Sequence, residues 1–188
     1  MLGFSLRAAI RMPTGYTKGV RRSDGFDDLV AAADPALVVV TTARGDELAG
    51  CLVGFHAQIS IEPQRYAVWL SRLNRTCRVA RLASHVAIHF LTDGDHALAE
   101  LFGAETGDDI DKFARTSWTA GPGGVPLLEA CPHRLVGRRV TLIDEGGDHA
   151  CFVSSPIRTD TDGPFIPLRM GAVAGMSAGH EVDGAAPR

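Results

Sequence analysis

The chain has 188 residues, 45% of them hydrophobic and 22% charged, which suits one domain with a buried core and argues against a second full one. Its net charge of −3 hides a segregation: residues 1–23 carry Arg7, Arg11, Lys18, Arg21 and Arg22 and no acid, so the remainder holds 14 basic against 22 acidic side chains. An acidic body is a poor match to nucleic acid, and Arg7 and Arg11 break the only N-terminal apolar stretch, so neither a secretory signal nor a membrane span is expected.

Residues 1–28 are therefore expected to be a basic, flexible extension, with tethering to an anionic surface as the alternative, and residues 29–170 to be the folded domain. Residues 36–42 are β-branched and follow Asp34-Pro35, which starts a strand. Residues 48–61 read as one long extended segment interrupted by Gly50 and Gly54, positions that mark a bulge, a bend or the close approach of a ligand. Residues 65–71 and 85–91 alternate as half-buried strands. Between them a helix is expected from Asn74 or Thr76 to about Ala83, packing through Val79, Leu82 and Ala83. A second helix follows Asp93 and stops at Gly103, with Leu98, Leu101 and Phe102 at helical spacing. Residues 134–143 and 149–155 flank Asp144-Glu145-Gly146-Gly147-Asp148 as a hairpin. Residues 171–188 are a Gly- and Ala-rich tail ordered only at its start. Six or more strands with two inserted helices imply a mainly β, α+β barrel-like domain.

Several segments could carry chemistry. Asn74-Arg75-Thr76 lies at a strand-to-helix junction, where unpaired N–H groups and the helix dipole favour an anion. Arg72, Arg75, Arg78 and Arg81 recur every third residue, so one or two could face it, or Asn74 could merely cap a helix whose arginines are solvated. His85 and His89 are four apart, but on a strand that is about 13 Å, too far for chelation, and no metal site is expected. The acidic run Asp108-Asp109-Ile110-Asp111 reads as solvated, and Asp93, Asp95 and His96 as turn and cap residues. Asp148-His149 places an imidazole beside a carboxylate at a strand start, able to bond a carboxamide or simply to end a hairpin. His56 has the same two readings. Cys51, Cys77, Cys131 and Cys151 form no Cys-x-x-Cys pair and are expected as reduced thiols of a cytoplasmic protein. No Gly-x-Gly-x-x-Gly, nucleophile elbow, kinase or P-loop signature is present. A glycine-interrupted strand, an anion site and a polar group at a later strand start are the parts a small β domain needs to hold a flavin.

In order and spacing, Val40-Thr41-Thr42, the segment from Gly50 to Ser60 with Ile61-Glu62-Pro63, Asn74-Arg75-Thr76, the strand at 86–91, Asp111-Lys112-Phe113, Gly121-Pro122-Gly123-Gly124-Val125-Pro126-Leu127-Leu128 and Gly147-Asp148-His149 resemble the flavin reductase-like family of FMN-binding split barrels. The likeness covers about residues 30–170 and is nearest to short actinobacterial members. It implies a homodimer with flavin (FMN or FAD) near the subunit interface, reduced by NADH or NADPH, and a partner monooxygenase as one recipient of the reduced flavin. It places Asn74, Arg75 and Thr76 at the phosphate, Gly54, Phe55, His56, Ala57 and Gln58 at the ring and ribityl chain, and His149 in catalysis on the nicotinamide side. Thr41, Thr42, His89, Lys112 and Asp148 complete the expected surroundings of the cofactor.

The chain departs from the family pattern where hydroxyl side chains usually line the flavin strand, since Leu52, Gly54, Phe55, His56, Ala57 and Gln58 stand there. Backbone N–H groups would have to substitute. His89 replaces the usual asparagine of its strand, and the ending is Pro167-Leu168-Arg169-Met170. These departures suit a diffusible flavin substrate, a deazaflavin-dependent reductase on the same barrel, or a flavin-binding protein without turnover.

Overall fold

The computed structural model describes residues 25–144, 147–176 and 179. Among these residues nine strands form: β1 (Val38–Arg44), β2 (Glu47–Val53), β3 (His56–Ser60), β4 (Arg65–Ser71), β5 (His85–Phe90), β6 (Trp118–Ala120), β7 (Pro126–Leu128), β8 (Arg134–Ile143) and β9 (His149–Asp160). Seven of them make one antiparallel sheet in the order β2-β1-β5-β8-β9-β4-β3, and β6 pairs with β7 apart from it.

The sheet's curvature follows from its connectivity. β2 and β3 lie at opposite edges, yet only Gly54 and Phe55 separate them in the chain. Six strand spacings laid flat would part the edges by about 29 Å, whereas the three peptide steps from Val53 to His56 reach only about 11 Å. The sheet must curl until its edges nearly meet, which is a split barrel. The Phe55 carbonyl accepts from the Trp69 N–H at 2.9 Å, extending the β3–β4 ladder by one residue. His56 Nε2 donates to the Ala36 carbonyl at 3.0 Å, tying β3 to the chain just before β1.

Inside lie Val38, Val40, Val68, Leu70, Ile88 and Phe152, and one end is plugged by Cys77 and Ala80 of the helix α2 (Arg75–Ala80). Each large, fully buried side chain of this core, Phe152 and Ile88 among them, contributes roughly 1.5–3 kcal/mol. Outside, the helix α3 (His96–Gly103) sets Leu98 and Phe102 against Val39, and the β6–β7 hairpin sets Val125 and Leu127 against Ala87 and Val136. β1 is thus covered on both faces, and its run Val38-Val39-Val40 is apolar throughout instead of alternating. The returning C-terminal segment bridges Thr92 with Pro167 and Ala36 with Arg169. Among the described residues no helix is long and apolar enough to cross a membrane.

Some local expectations are revised. The long strand expected over 48–61 is two strands, broken at Gly54 and Phe55, while Gly50 stays in register opposite Thr41. Gly50 is neither bulge nor bend: a Cβ there would stand 2.8 Å from Phe102 Cε1 and 3.3 Å from Phe113 Cζ, so the position admits an aromatic pair. Regular helix in α2 ends at Ala80, and Leu82, expected to pack, is 59% exposed. β9 runs five residues beyond Ser155 because it pairs with β8 through two register shifts. A helix, α1 (Phe26–Ala33), crosses the expected end of the extension and buries none of its residues. The greater part of the basic extension and most of the tail lie outside the described residues.

Candidate functional site

The outer side of β2, the start of α2 and the segment leading to Phe113 enclose a cavity of about 370 Å³, lined among others by Ala49, Gly50, Arg75, Thr76, Asp109 and Lys112. A smaller cavity of about 70 Å³ shares Gly107, Asp108 and Lys112 with it and reaches Leu52, Leu73 and Asn74. Its polar floor arises from ordinary local folding. Asn74 is the N-cap of α2, its Oδ1 accepting from the Thr76 N–H at 2.9 Å, which turns Thr76 inward to 1% exposure. Asp111 caps the following 3-10 turn, Lys112–Arg115, accepting from the N–H groups of Phe113 and Ala114, and this buries Lys112 to 4% exposure. Lys112 Nζ donates to the Phe102 carbonyl at 3.1 Å, and it forms no ion pair among the described residues. Burial pushes the ammonium's pKa below its ordinary value, against the pull of Cys51 and Glu105.

Of the four evenly spaced arginines only Arg75 faces the cavity. Arg78 is held by both Asp108 oxygens at 2.5 and 2.8 Å, and Arg72 and Arg81 share Asp144. Arg75 bonds the Gly107 carbonyl at 2.9 Å and Glu47 at 3.4 Å, while its buried Nε has no hydrogen-bond partner among the described residues. The acidic run is solvent-exposed as expected, but it also has partners: Asp108 pairs with Arg78, Asp111 caps the next turn, and with Asp109 they line the cavity.

At the seam, Phe55 and His149 meet edge to face with centroids 5.2 Å apart, although 93 residues lie between them. His149 opens β9 opposite Ser71, and its Nδ1 lies 2.7 Å from Asp148 Oδ1. A carboxylate can only accept, so Nδ1 carries the proton. Neither Phe55 nor His149 lines the two cavities.

The remaining expected residues are placed differently. His56 Nε2 donates to the Ala36 carbonyl, so its Nδ1 accepts from the Tyr66 hydroxyl at 2.7 Å; burial lowers the imidazole's pKa and lifts that of Tyr66 to about 12. Gln58 bonds the Ser60 carbonyl, Ala57 is exposed, and the Met170 methyl fills the space a Cβ at Gly54 would take. Thr41 and Thr42 are fully buried and donate to the Pro126 and His85 carbonyls at 2.6 and 2.9 Å. His89, also fully buried, joins Val39 through Nδ1 and accepts the Leu128 N–H at Nε2. The polar atoms of Thr41, Thr42, His56 and His89 are all engaged inside the protein. Sequence reasoning passed over Glu47 and Asp46 and read Asp144 only as a hairpin-loop residue; Asp111 carried a readable signal, an N-cap type ahead of Phe113.

Residues 33–166 match the model of the flavin reductase like domain. The chain belongs to that family. Its β architecture is shared with the FMN-binding protein of Thermus thermophilus crystallised with 1-cyclohex-2-enone, at a TM-score of 0.64, 20% identity, and coverage of 78% of this chain and 79% of that one. The NADH:FAD oxidoreductase of Streptomyces globisporus aligns with a TM-score of 0.64 and 22% identity over 80% of this chain and 90% of its own. A high molecular weight rubredoxin of Moorella thermoacetica is 26% identical over 122 residues, 63% of this chain. That match spans only 52% of the rubredoxin, about half its length. In this flavin reductase-like chain, the half of the expected site at the α2 start is a cavity, and the half around Phe55 and His149 lies outside it.

Proposed function

We propose that the protein is an NAD(P)H-dependent flavin reductase, FMN or FAD being the flavin, which can pass reduced flavin to a monooxygenase. The observation that carries this reading is the meeting, on one cavity, of the buried Arg75 Nε, which has no hydrogen-bond partner among the described residues, and the buried ammonium of Lys112. Two cationic groups with unused donors fit a phosphate. Arg75, Thr76 and Lys112 would hold it, with Asn74 fixing the backbone of Thr76. Phe55 and the backbone beside Gly54 would face the ring, and the Asp148 carboxylate keeps the proton of His149 on Nδ1. That leaves His149 Nε2 to accept from the amide of a nicotinamide carboxamide. A bound flavin supplies the hydride acceptor, and the chain supplies binding and orientation.

A homodimer fits the same reading. Phe55, Ile59 and Ile61 are 48%, 49% and 81% exposed along the β3 edge beside the seam, and a two-fold copy would cover them.

Two measurements test the proposal. Anaerobic mixing with NADH or NADPH should bleach bound flavin; binding without bleaching would leave a carrier. Lys112→Met and Arg75→Ala should each weaken FMN by roughly tenfold to a hundredfold, the loss of a hydrogen bond to a charged group being about 1.5–3 kcal/mol, and leave riboflavin unaffected. Equal weakening of both ligands would remove the phosphate from this cavity.

A further inference from the structure

We propose that the cavity on the outer side of β2 takes the adenosine monophosphate half of a dinucleotide, with its free carboxylates receiving the ribose diol; the inference rests on the reading of this cavity as a phosphate site given above. At about 370 Å³ the cavity is far larger than a phosphate group needs and falls within the roughly 300–1,000 Å³ of cavities that hold a whole small ligand. Its cationic groups lie deep. Lys112 is 4% exposed, spends one ammonium proton on the Phe102 carbonyl and forms no ion pair among the described residues, and the buried Arg75 Nε has no hydrogen-bond partner among them.

Four carboxylates share the lining with these two cations. Two of them are committed, Asp108 to Arg78 and Asp111 to the N–H groups of Phe113 and Ala114. Asp46 and Asp109 are exposed, and among the described residues their side chains form no hydrogen bond or ion pair. A ligand made of phosphate alone would satisfy the deep cations and leave these two anions facing it. A 5′-ribonucleotide matches both sets: its phosphate meets Arg75 and Lys112, and its 2′- and 3′-hydroxyls bring two adjacent O–H donors to groups that can only accept. Leu48 and Ile110, half-buried on the same cavity, offer apolar surface to the base. A carboxylate on a ribose 2′-hydroxyl also turns away a 2′-phosphate by like-charge repulsion. FAD and NADH both carry this half, and FMN lacks it.

The test is a titration of the full chain with AMP, its 2′-deoxy form and adenosine 2′,5′-bisphosphate, read by calorimetry. AMP should bind roughly tenfold to a hundredfold more tightly than deoxy-AMP, the scale of one lost hydrogen bond to a charged group. The bisphosphate should bind more weakly than AMP in spite of its added charge. In Asp46→Ala/Asp109→Ala both differences should close; should that variant not fold, Asp109→Ala alone should narrow them. Equal binding of AMP and deoxy-AMP by the wild type, or a gap that survives removal of the carboxylates, would overturn the proposal. Competition then separates the two sources: AMP should displace FAD or NADH, each followed by its own fluorescence, and leave riboflavin bound. Displacement of neither dinucleotide would also overturn the proposal. If Arg75→Ala binds AMP as the wild type does, the phosphate reading of the cavity falls, and the gap between AMP and deoxy-AMP still decides the ribose contact.

Discussion

Acid should unfold this protein partly through one histidine. His89 is completely buried, with Nδ1 donating to the Val39 carbonyl at 3.2 Å and Nε2 accepting the Leu128 N–H at 3.1 Å. An added proton would break the second bond and place a charge between the sheet and β7. Burial, the chief cause, drives the imidazole's pKa from 6.5 to about 4, with a minor push from Arg134. As pH falls below 6.5 the unfolded chain takes up a proton that the folded one refuses, so the contribution is complete above 6.5 and is lost towards 4. At 1.36 kcal/mol per unit, the whole displacement corresponds to about 3 kcal/mol, of which about 2.5 kcal/mol is gone by pH 4.5. The carboxyls of Asp144 and Asp160, held low by their arginine partners, act only below their ordinary range. Urea unfolding at pH 7.5 and 4.5 therefore isolates the histidines. His89→Gln, less stable at pH 7.5, should lose markedly less stability between the two values than the wild type. An equal loss in both proteins would refute the assignment and pass the acid sensitivity to His56, whose pKa is lowered in the same direction.

Thr41→Val keeps the side-chain shape but removes the hydroxyl that donates to the Pro126 carbonyl, and should cost about 1–3 kcal/mol in chemical denaturation. Flavin affinity should not change; a weakened titration would mean that the hydroxyl turns towards ligand. Gly50→Ala puts a methyl against the Phe102 and Phe113 rings and should destabilise by about 1–3 kcal/mol, visible as a lower melting temperature. A variant as stable as the wild type would show that the two rings can part.

Much of the fold was legible because it is written in local periodicity. The strand over Arg65–Ser71, the apolar run after Asp34-Pro35, the stop at Gly103 and the strand pair around 144–148 were all readable, though burial over Arg65–Ser71 does not alternate, and the ordered segments as a set pointed to the family that residues 33–166 match. What periodicity cannot contain is the distance across a closed sheet. Nothing local to residues 48–61 says that the two halves of that segment run along opposite edges; the closure of seven strands decides it. The pairing of β4 with both β3 and β9 brings Phe55 to His149, and tertiary packing turns Thr41 and His89 towards a hairpin whose strands are three residues long. Lys112 shows the division within one residue. Its cap, Asp111, is a sequence signal, but its burial depends on where α3 ends and on Phe102, ten residues earlier, offering a carbonyl. A chain specifies its turns and faces through neighbours a few bonds away, whereas a binding site is made of groups that meet only after the sheet has bent around its core.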